Sequence, residues 1–211
     1  MLRYARFPTA LANLAAPAGS RVRWLAGVEF TNHLNTMISG MLAETDGDWV
    51  WVMGDDHVFR PDILVRLIAH NRDIVVPHCK ARQPPYNSVL YDRRLDGHYY
   101  IKDLTGLSGV IPVAAAGSAG MLIRRRVLER MADPWFELGK TTRTDLHGED
   151  LTFCRKATAA GFDIWADLDT PLGHVTTIEI WPKQMPDGRW GTVLGLSSDH
   201  PLAIPPWADI S

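Results

Sequence analysis

The stretch Asp48-Trp49-Val50-Trp51-Val52-Met53-Gly54-Asp55-Asp56-His57 decides the fold of this chain. Its apolar run predicts a buried strand, which stops abruptly in two carboxylates and an imidazole. Carboxylate oxygens and one imidazole nitrogen suit Mn²⁺ or Mg²⁺, and ligands collect beyond the carboxyl ends of strands in open α/β sheets. The stretch therefore predicts a metal and nucleotide site, although an Asp-rich turn after a strand would use the same residues.

The composition is that of an ordinary soluble globular domain, because 46% of the 211 residues are hydrophobic and 22% are charged. The formal charge of −2 gives no footprint for nucleic acid. The densest basic cluster, Arg124-Arg125-Arg126, indicates a solvated helix start. No apolar stretch is long enough to span a membrane. Cys79 and Cys154 lack metal-type spacing, which favours reduced thiols and a cytoplasmic location.

Apolar runs of strand length alternate with amphipathic segments of helix length along the chain. This alternation predicts an α/β fold in which helices flank a mostly parallel central sheet. We expect residues 1–180 to form one domain and the proline- and tryptophan-rich residues 181–211 to form an irregular arm packed on it. Helices are predicted over residues 32–44, 61–70, 125–131 and 150–160, strands over 21–30, 48–53, 73–77 and 162–166, a glycine-interrupted element over 113–123, and a loop with a hairpin over 80–109.

Three further motifs carry chemistry, each with a plainer structural explanation. Glu149 and Asp150 open a predicted helix, where acids commonly cap free N–H groups but where one carboxylate can also take a proton from an attacking hydroxyl. His174 follows a strand, as many purely structural histidines do. The glycines of the segment 116–120 allow a ligand to approach the backbone, or simply form a tight turn.

Taken in order, these motifs resemble those of the GT-A nucleotide-sugar glycosyltransferases. Family-2-like members are nearest, with some likeness to the polypeptide N-acetylgalactosaminyltransferases. The likeness covers about residues 32–174 and includes DPWF at 133–136, GED at 148–150, GF at 161–162 and GH at 173–174. Compact phage- and actinobacterial-type proteins carry similar GDDH and AGxAGMLI strings. The resemblance implies a GT-A fold whose first strand is missing, with the chain beginning inside the helix that follows it, at residues 7–17.

The resemblance implies that Mn²⁺ or Mg²⁺ bridges the diphosphate of a UDP- or GDP-sugar donor. Two registers of the family's DxD motif stay open. In the first, Asp56 faces the metal and Asp55 neighbours the ribose; in the second, Asp55 and His57 face the metal. The spacing to Pro61-Asp62 favours the first register. In both, His174 matches the later histidine that completes the metal site.

The resemblance also implies that Asp150, with Glu149 beside it, is the general base of an inverting transfer to a hydroxyl of a glycan or protein. Apart from the resemblance, Arg82 in the proline-rich loop is a candidate for holding the donor phosphates or the acceptor, although a solvated loop is the plainer reading. A loop near the donor sugar and the acceptor matches Gly117, Ser118, Ala119 and Gly120. Two other functions stay open: a metal-dependent hydrolase or nucleotidyltransferase with the same Asp and His residues, and a catalytically silent binding or virion-associated module. The motifs do not assign the sugar or the nucleobase of the donor, or the oligomeric state.

Overall fold

The computed structural model describes residues 2–24, 29–83, 85–93, 95, 97–140, 146–176, 179–184, 186, 188–197 and 200–201. The chain divides into two units, Met1–Val175 and Thr176–Ser211, so the boundary falls slightly before the expected position at residue 180. Among the described residues, no helix combines the length and the apolar character that a membrane crossing requires. Cys79 and Cys154 are free thiols, and both are buried.

The first unit contains five helices among its described residues. They are α1 (Leu2–Ala12), α2 (Phe30–Glu44), α3 (Ile63–Ala69), α4 (Arg125–Arg130) and α5 (Glu149–Ala159). The helices predicted over residues 32–44, 61–70, 125–131 and 150–160 are thereby confirmed, each with an end shifted by a residue or two. The strand predicted over residues 21–30 does not form at residues 21–24, and residues 25–28 lie outside the described part of the chain.

The strands of the first unit are mostly short. They are β1 (Trp49–Trp51), β2 (His57–Val58), β3 (Ile74–Cys79), β4 (Leu90–Arg93), β5 (Tyr99–Ile101), β6 (Val110–Val113), β7 (Ala115–Ala116), β8 (Leu122–Arg124), β9 (Gly139–Lys140), β10 (Leu146–His147) and β11 (Ile164–His174). The hairpin expected within residues 80–109 is formed by β4 and β5. The glycine-interrupted element expected over residues 113–123 is divided between β7 and β8.

The central sheet has the order β1-β8-β3-β11-β2, and β6 also pairs with β11. The α/β class is confirmed, but the expectation of a mostly parallel sheet is wrong. Of the pairs that the structure describes in this sheet, β3 with β11 is parallel, whereas β8 runs antiparallel to both β1 and β3. The reason is that an apolar run carries no information on strand direction: β6 and β8 both run opposite to β3 and β11, so their pairs with those strands are antiparallel.

The core lies on both faces of this sheet. Strand β3 alternates, so that Ile74 and Val76 join one apolar cluster, whereas Val75 and Cys79 join the other. The first cluster receives Leu34 and Ile38 of α2 and Phe153 of α5, and the second receives Ile63, Leu64 and Leu67 of α3. Helices therefore cover both faces, and the strand ends between them are held in fixed positions.

The arginine cluster is more than a solvated helix start. The guanidinium of Arg125 donates hydrogen bonds to the backbone carbonyl oxygens of Leu42 and Thr45, at the end of α2. Arg126 forms an ion pair with Asp73, which precedes β3. The cluster thus ties the start of α4 to two other elements.

In the second unit, the expectation of an irregular arm is wrong for the described residues. Strands β12 (Glu179–Gln184) and β13 (Trp190–Ser197) pair antiparallel, and β14 (His200–Pro201) adds a third strand. Gly188, at φ +82°, lies in the connection between β12 and β13 and supplies the left-handed conformation that a hairpin turn favours. The packing of this unit on the first stays a prediction.

Candidate functional site

Two strand ends bring distant residues of the chain together. The short strand β2 pairs antiparallel with the last residues of β11, so that His57 lies directly opposite His174. The backbone N–H of Val175 also donates to the carbonyl oxygen of Asp56, at 2.8 Å. The acidic cluster after β1 and the GH motif at the end of β11 therefore form one site.

The carboxylate of Asp56 is the centre of this site. Its Oδ1 lies 3.0 Å from Nδ1 of His57. Its Oδ2 lies 3.2 Å from Nε2 of His174 and 3.0 Å from a terminal nitrogen of Arg82. The hydrogen bond from His57 is the largest cause that holds the pKa of Asp56 well below its usual value, against the effect of burial. The group is therefore a carboxylate at any physiological pH.

The contacts of His174 determine which of its nitrogens carries the proton. Its Nδ1 lies 2.9 Å from the carbonyl oxygen of Lys80, which can only accept, so Nδ1 donates. In the neutral ring, Nε2 then presents a lone pair to Oδ2 of Asp56. Two acceptors 3.2 Å apart require a proton or a cation between them. A backbone carbonyl that holds the far N–H of an imidazole is also the usual support of a metal-ligating histidine.

The spacing of these two acceptors fits one cation. Adjacent ligands about 2.1 Å from a six-coordinate ion lie about 3 Å apart, and Oδ2 of Asp56 and Nε2 of His174 are separated by 3.2 Å. A carboxylate oxygen with an imidazole nitrogen is a donor set that Mn²⁺ accepts readily and Mg²⁺ accepts mainly through the oxygen.

His57 supports this pair rather than duplicating it. Its ring stacks on that of His174, with the centroids 4.4 Å apart and the planes inclined by 25°. Nδ1 of His57 contacts Oδ1 of Asp56, so this nitrogen is not available to the place between Oδ2 of Asp56 and Nε2 of His174. Burial is the largest single influence and opposes protonation of His57, but its contacts with Asp56 and with Cys79 together outweigh burial and raise the pKa to about 9. His57 is therefore a hydrogen-bond donor that orients Asp56.

A second group of donors lies beneath the rings. Donor atoms of His57, Cys79 and His174 all lie within 4.8 Å of one another. Nε2 of His57 is buried and makes no hydrogen bond to any described residue. From the sequence, Cys79 is expected to be a reduced thiol without a further role, yet Leu172 pairs with it across the parallel strands β3 and β11. Pairing of those strand ends is the signal that would have placed Cys79 here.

A cleft of about 490 Å³ opens over Asp56. It is lined by Val52, Gly54, Asp56, His57, Ala81, Arg82, Gln83, Ser118, Ala119 and His174. A side chain at position 54 would crowd the site, because a β-carbon on Gly54 would lie 2.9 Å from Oδ1 of Asp56 and 3.1 Å from Nδ1 of His57. Trp51 donates from its indole nitrogen to the carbonyl oxygen of Gly120, at 2.9 Å, and so fixes the loop that carries Ser118 and Ala119.

Asp150 lies beside this loop, at the start of α5. Oδ2 of Asp150 would be 3.7 Å from a β-carbon added to Gly117. Oδ1 of Asp150 accepts a hydrogen bond from the backbone N–H of Leu151, at 2.7 Å. Burial, and next the charge of Glu149, raise the pKa of Asp150 to about 6. A carboxylate in this environment is ionised at neutral pH and still basic enough to accept a proton.

The structure therefore brings together most of the candidate residues. The carboxylate of Asp56 is contacted by His57, His174 and Arg82. The loop Gly117–Gly120 lies between this cluster and Asp150. Asp55 is the exception, because its side chain is exposed and is not among those that line the cleft. Glu149 is partly exposed and is linked to Asp150 through its charge.

Comparison with known proteins identifies a family and several solved structures that are similar. A family model described as "Glycosyltransferase like family 2" matches residues 11–190. A solved structure described as "Crystal Structure of A197 from STIV" is similar over 82% of this chain and 78% of that chain, with 18% identity and a TM-score of 0.48. None of the curated proteins matches the sequence. The expected likeness to the polypeptide N-acetylgalactosaminyltransferases is not shown by these matches.

Proposed function

We propose that this chain, which belongs to the glycosyltransferase-like family 2, moves a sugar from a nucleotide-sugar donor to a hydroxyl acceptor with the help of a divalent cation. The family match over residues 11–190 supports a nucleotide-sugar glycosyltransferase of GT-A fold in general terms. The cation, the stereochemical course and the residue roles are the further content of the proposal. The observation that carries it is the approach of Oδ2 of Asp56 to Nε2 of His174, two atoms that can both ligate a cation, at 3.2 Å.

Asp56 and His174 would hold the cation, Mn²⁺ or Mg²⁺. When bound there, the ion supplies positive charge that stabilises the diphosphate as it leaves the sugar. His57 keeps the Asp56 carboxylate in place through Oδ1, and the carbonyl of Lys80 keeps the ring of His174 in place. This arrangement supports the register in which Asp56 faces the metal and Asp55, whose side chain is exposed, neighbours the ribose.

The cleft would receive the donor. Its volume of about 490 Å³ lies within the range of small-molecule sites. Arg82 provides a guanidinium for the phosphates, because its planar fork suits phosphate oxygens. Gly117 and Gly120 have no side chain, so the backbone on either side of Ser118 and Ala119 would allow a UDP- or GDP-sugar to approach the loop closely.

Asp150 would act as the general base of an inverting displacement. Its carboxylate lies on the side of the Gly117 loop, where an acceptor hydroxyl of a glycan or protein would enter. Such a hydroxyl is a poor nucleophile at neutral pH, so removal of its proton during attack accelerates the reaction by about 10²- to 10⁴-fold. Glu149 assists by raising the proton affinity of Asp150. The buried thiols Cys79 and Cys154 support a cytoplasmic location for this activity.

The experiment that tests this function compares the native chain with variants of two neighbouring carboxylates, Asp55 and Asp56. The purified chain is incubated with UDP- and GDP-sugars, with and without Mn²⁺ or Mg²⁺, and released nucleotide and sugar are separated by chromatography. We expect metal-dependent release or transfer that Asp56→Asn abolishes. Asp55→Asn is the matched control, and it should retain Mn²⁺ binding while nucleotide affinity falls. Loss of Mn²⁺ binding in Asp55→Asn but not in Asp56→Asn would reverse the register.

The products also distinguish the other two functions. A hydrolase or nucleotidyltransferase would release phosphate or diphosphate and would not move the sugar to a hydroxyl. A silent binding or virion-associated module would bind UDP or GDP with Mn²⁺ and leave every donor intact. Absence of metal-linked nucleotide binding by calorimetry would contradict the proposed cleft altogether.

A further inference from the structure

Arg82 shares one oxygen of Asp56 with the position of the proposed cation. Oδ1 of Asp56 is occupied by His57, at 3.0 Å. Oδ2, the oxygen left for a cation, faces Nε2 of His174 at 3.2 Å and a terminal nitrogen of Arg82 at 3.0 Å. We propose that Arg82 is a latch, which occupies the place of the cation at Asp56 and is released to the donor diphosphate when the cation binds. This inference rests on the proposed function.

The two positive charges are incompatible at this oxygen. An ion about 2.1 Å from Oδ2 would lie within about 5 Å of the Arg82 nitrogen that now contacts the same atom. Like charges at that separation repel strongly in a cleft that is partly shielded from water. The cation therefore competes with Arg82 for Asp56, and binding of the one weakens the contact of the other.

The released guanidinium remains in the same cleft. Arg82 has a side chain that is 38% exposed, so it is free to change its rotamer. The backbone around it is held, because Ala81 donates to the carbonyl oxygen of Asn87 and Tyr86 donates to that of Gln83, at 2.8 and 2.9 Å. The side chain moves while the loop stays, and the diphosphate is the anion that the same cleft would then offer it.

The latch predicts effects of opposite sign from one substitution. Removing the guanidinium frees Oδ2, so the metal alone should bind more tightly. The same change removes a phosphate ligand, so the nucleotide should bind more weakly when metal is present. An Arg82 that acted only as a phosphate ligand would leave the affinity for metal alone unchanged. A purely structural Arg82 would weaken both.

The test measures the two affinities separately. Binding of Mn²⁺ without nucleotide is followed by loss of the electron paramagnetic resonance signal of the free ion, and binding of UDP at saturating Mn²⁺ is followed by calorimetry. We expect Arg82→Gln to bind Mn²⁺ about tenfold more tightly and UDP about tenfold more weakly than the native chain. Arg60→Gln, which removes a positive charge from a side chain that is 64% exposed and pairs with Asp62, is the matched control and should change neither affinity by more than about twofold.

Two further variants separate the latch from the metal site itself. Arg82→Lys retains the charge, so its affinity for Mn²⁺ should stay near the native value even where Arg82→Gln is poorly folded. Asp56→Asn should lose Mn²⁺ binding. If Asp56→Asn loses Mn²⁺ while Arg82→Gln binds it no more tightly than the native chain, the latch is wrong and the proposed metal site stands. If neither the native chain nor Arg82→Gln binds Mn²⁺, both are wrong.

Discussion

Nε2 of His70 lies 2.7 Å from Oδ2 of Asp167, a residue whose side chain is only 2% exposed. The other carboxylate oxygen of Asp167 accepts from the backbone N–H of Asp169, at 2.9 Å. Between Asp167 and Pro171 the register of β11 against β3 shifts, so this carboxylate satisfies backbone that the ladder leaves unpaired. The pair thus holds the bend in β11 that carries the chain on to His174.

Asp167→Asn should lower the free energy of unfolding by about 2–4 kcal/mol at pH 7, because it removes a buried, hydrogen-bonded charge. Burial alone would raise the pKa of Asp167, but hydrogen bonds from Thr170, His70 and the backbone of Asp169 hold it below its usual value. Because the pKa of Asp167 is lower in the folded than in the unfolded chain, its ionised form stabilises the fold at any pH above the unfolded-state pKa. This stabilisation is lost as the pH falls through the folded-state pKa. The deficit of the variant should therefore narrow below about pH 4.

Urea denaturation at pH 7 and at pH 3.5 or below measures both effects. Asp169→Asn is the matched control, because Asp169 is exposed and accepts from the backbone N–H of Gly109 at 3.2 Å. It should cost less than about 1 kcal/mol at either pH. Equal losses for the two variants would show that Asp167 has no special part in the bend.

Gly120 combines a left-handed backbone with a crowded surrounding. It has φ +72°, and a β-carbon would lie 2.6 Å from Cγ of Pro77 and 3.1 Å from Cδ2 of Leu172. Gly106, at φ +74°, has nothing within 4 Å of the same position. We therefore expect Gly106→Ala to lower the free energy of unfolding by about 1 kcal/mol, because only the backbone is strained. Gly120→Ala should lower it by about 3 kcal/mol, because the added β-carbon also clashes with its neighbours. Thermal unfolding of both variants isolates the steric contribution, and similar losses would contradict it.

Helices α2 to α5 of the first unit could be predicted from the sequence because their pattern is local, whereas the helix expected at residues 7–17 lies instead at Leu2–Ala12. The apolar spacing of α2 and α3, and the acidic first turn of α5, are set by residues within the elements themselves. The acidic cluster after β1 was equally local. These features correctly indicated the α/β class and the edge of the sheet where the candidate site lies.

The partners of each strand could not be predicted, because pairing joins residues far apart in the chain. The antiparallel insertion of β8 between β1 and β3 depends on the path of the chain, not on the composition of the strand. The role of Lys80 could not be predicted either, because its backbone carbonyl, not its side chain, holds His174. Cys79 reaches the site only through the alignment of the ends of β3 and β11.

Arg125 should contribute more to stability than its neighbour Arg126. It donates to two carbonyl oxygens at the end of α2, which would otherwise lack partners, and it pairs with Glu129. Arg126 has a side chain that is 65% exposed and an ion pair with Asp73 alone. We expect Arg125→Ala to lower the free energy of unfolding by about 2 kcal/mol and Arg126→Ala by less than about 1 kcal/mol. Denaturant titration of the two variants checks this order, and the reverse order would refute the capping role.

The environment of Asp150 predicts the pH dependence of sugar transfer. Burial and the charge of Glu149 raise its pKa to about 6. A general base acts only when deprotonated, so the rate should rise with pH through about 6 and then level off. Asp150→Asn should lower the rate by about 10²- to 10⁴-fold, remove this rise and leave binding of donor and metal intact.

Glu149→Gln separates a base from a residue that only shapes the helix start. It removes a neighbouring negative charge, so the pKa of Asp150 falls and the acid limb of the rate profile moves to lower pH. The variant should therefore equal the native chain at pH 8 and exceed it on the acid limb, where the native Asp150 is largely protonated. Initial rates at fixed, saturating donor and metal across pH 5 to 8 measure the shift. An acid limb that stays in place in Glu149→Gln, or that persists in Asp150→Asn, would assign the titration to another group and remove Asp150 from the reaction.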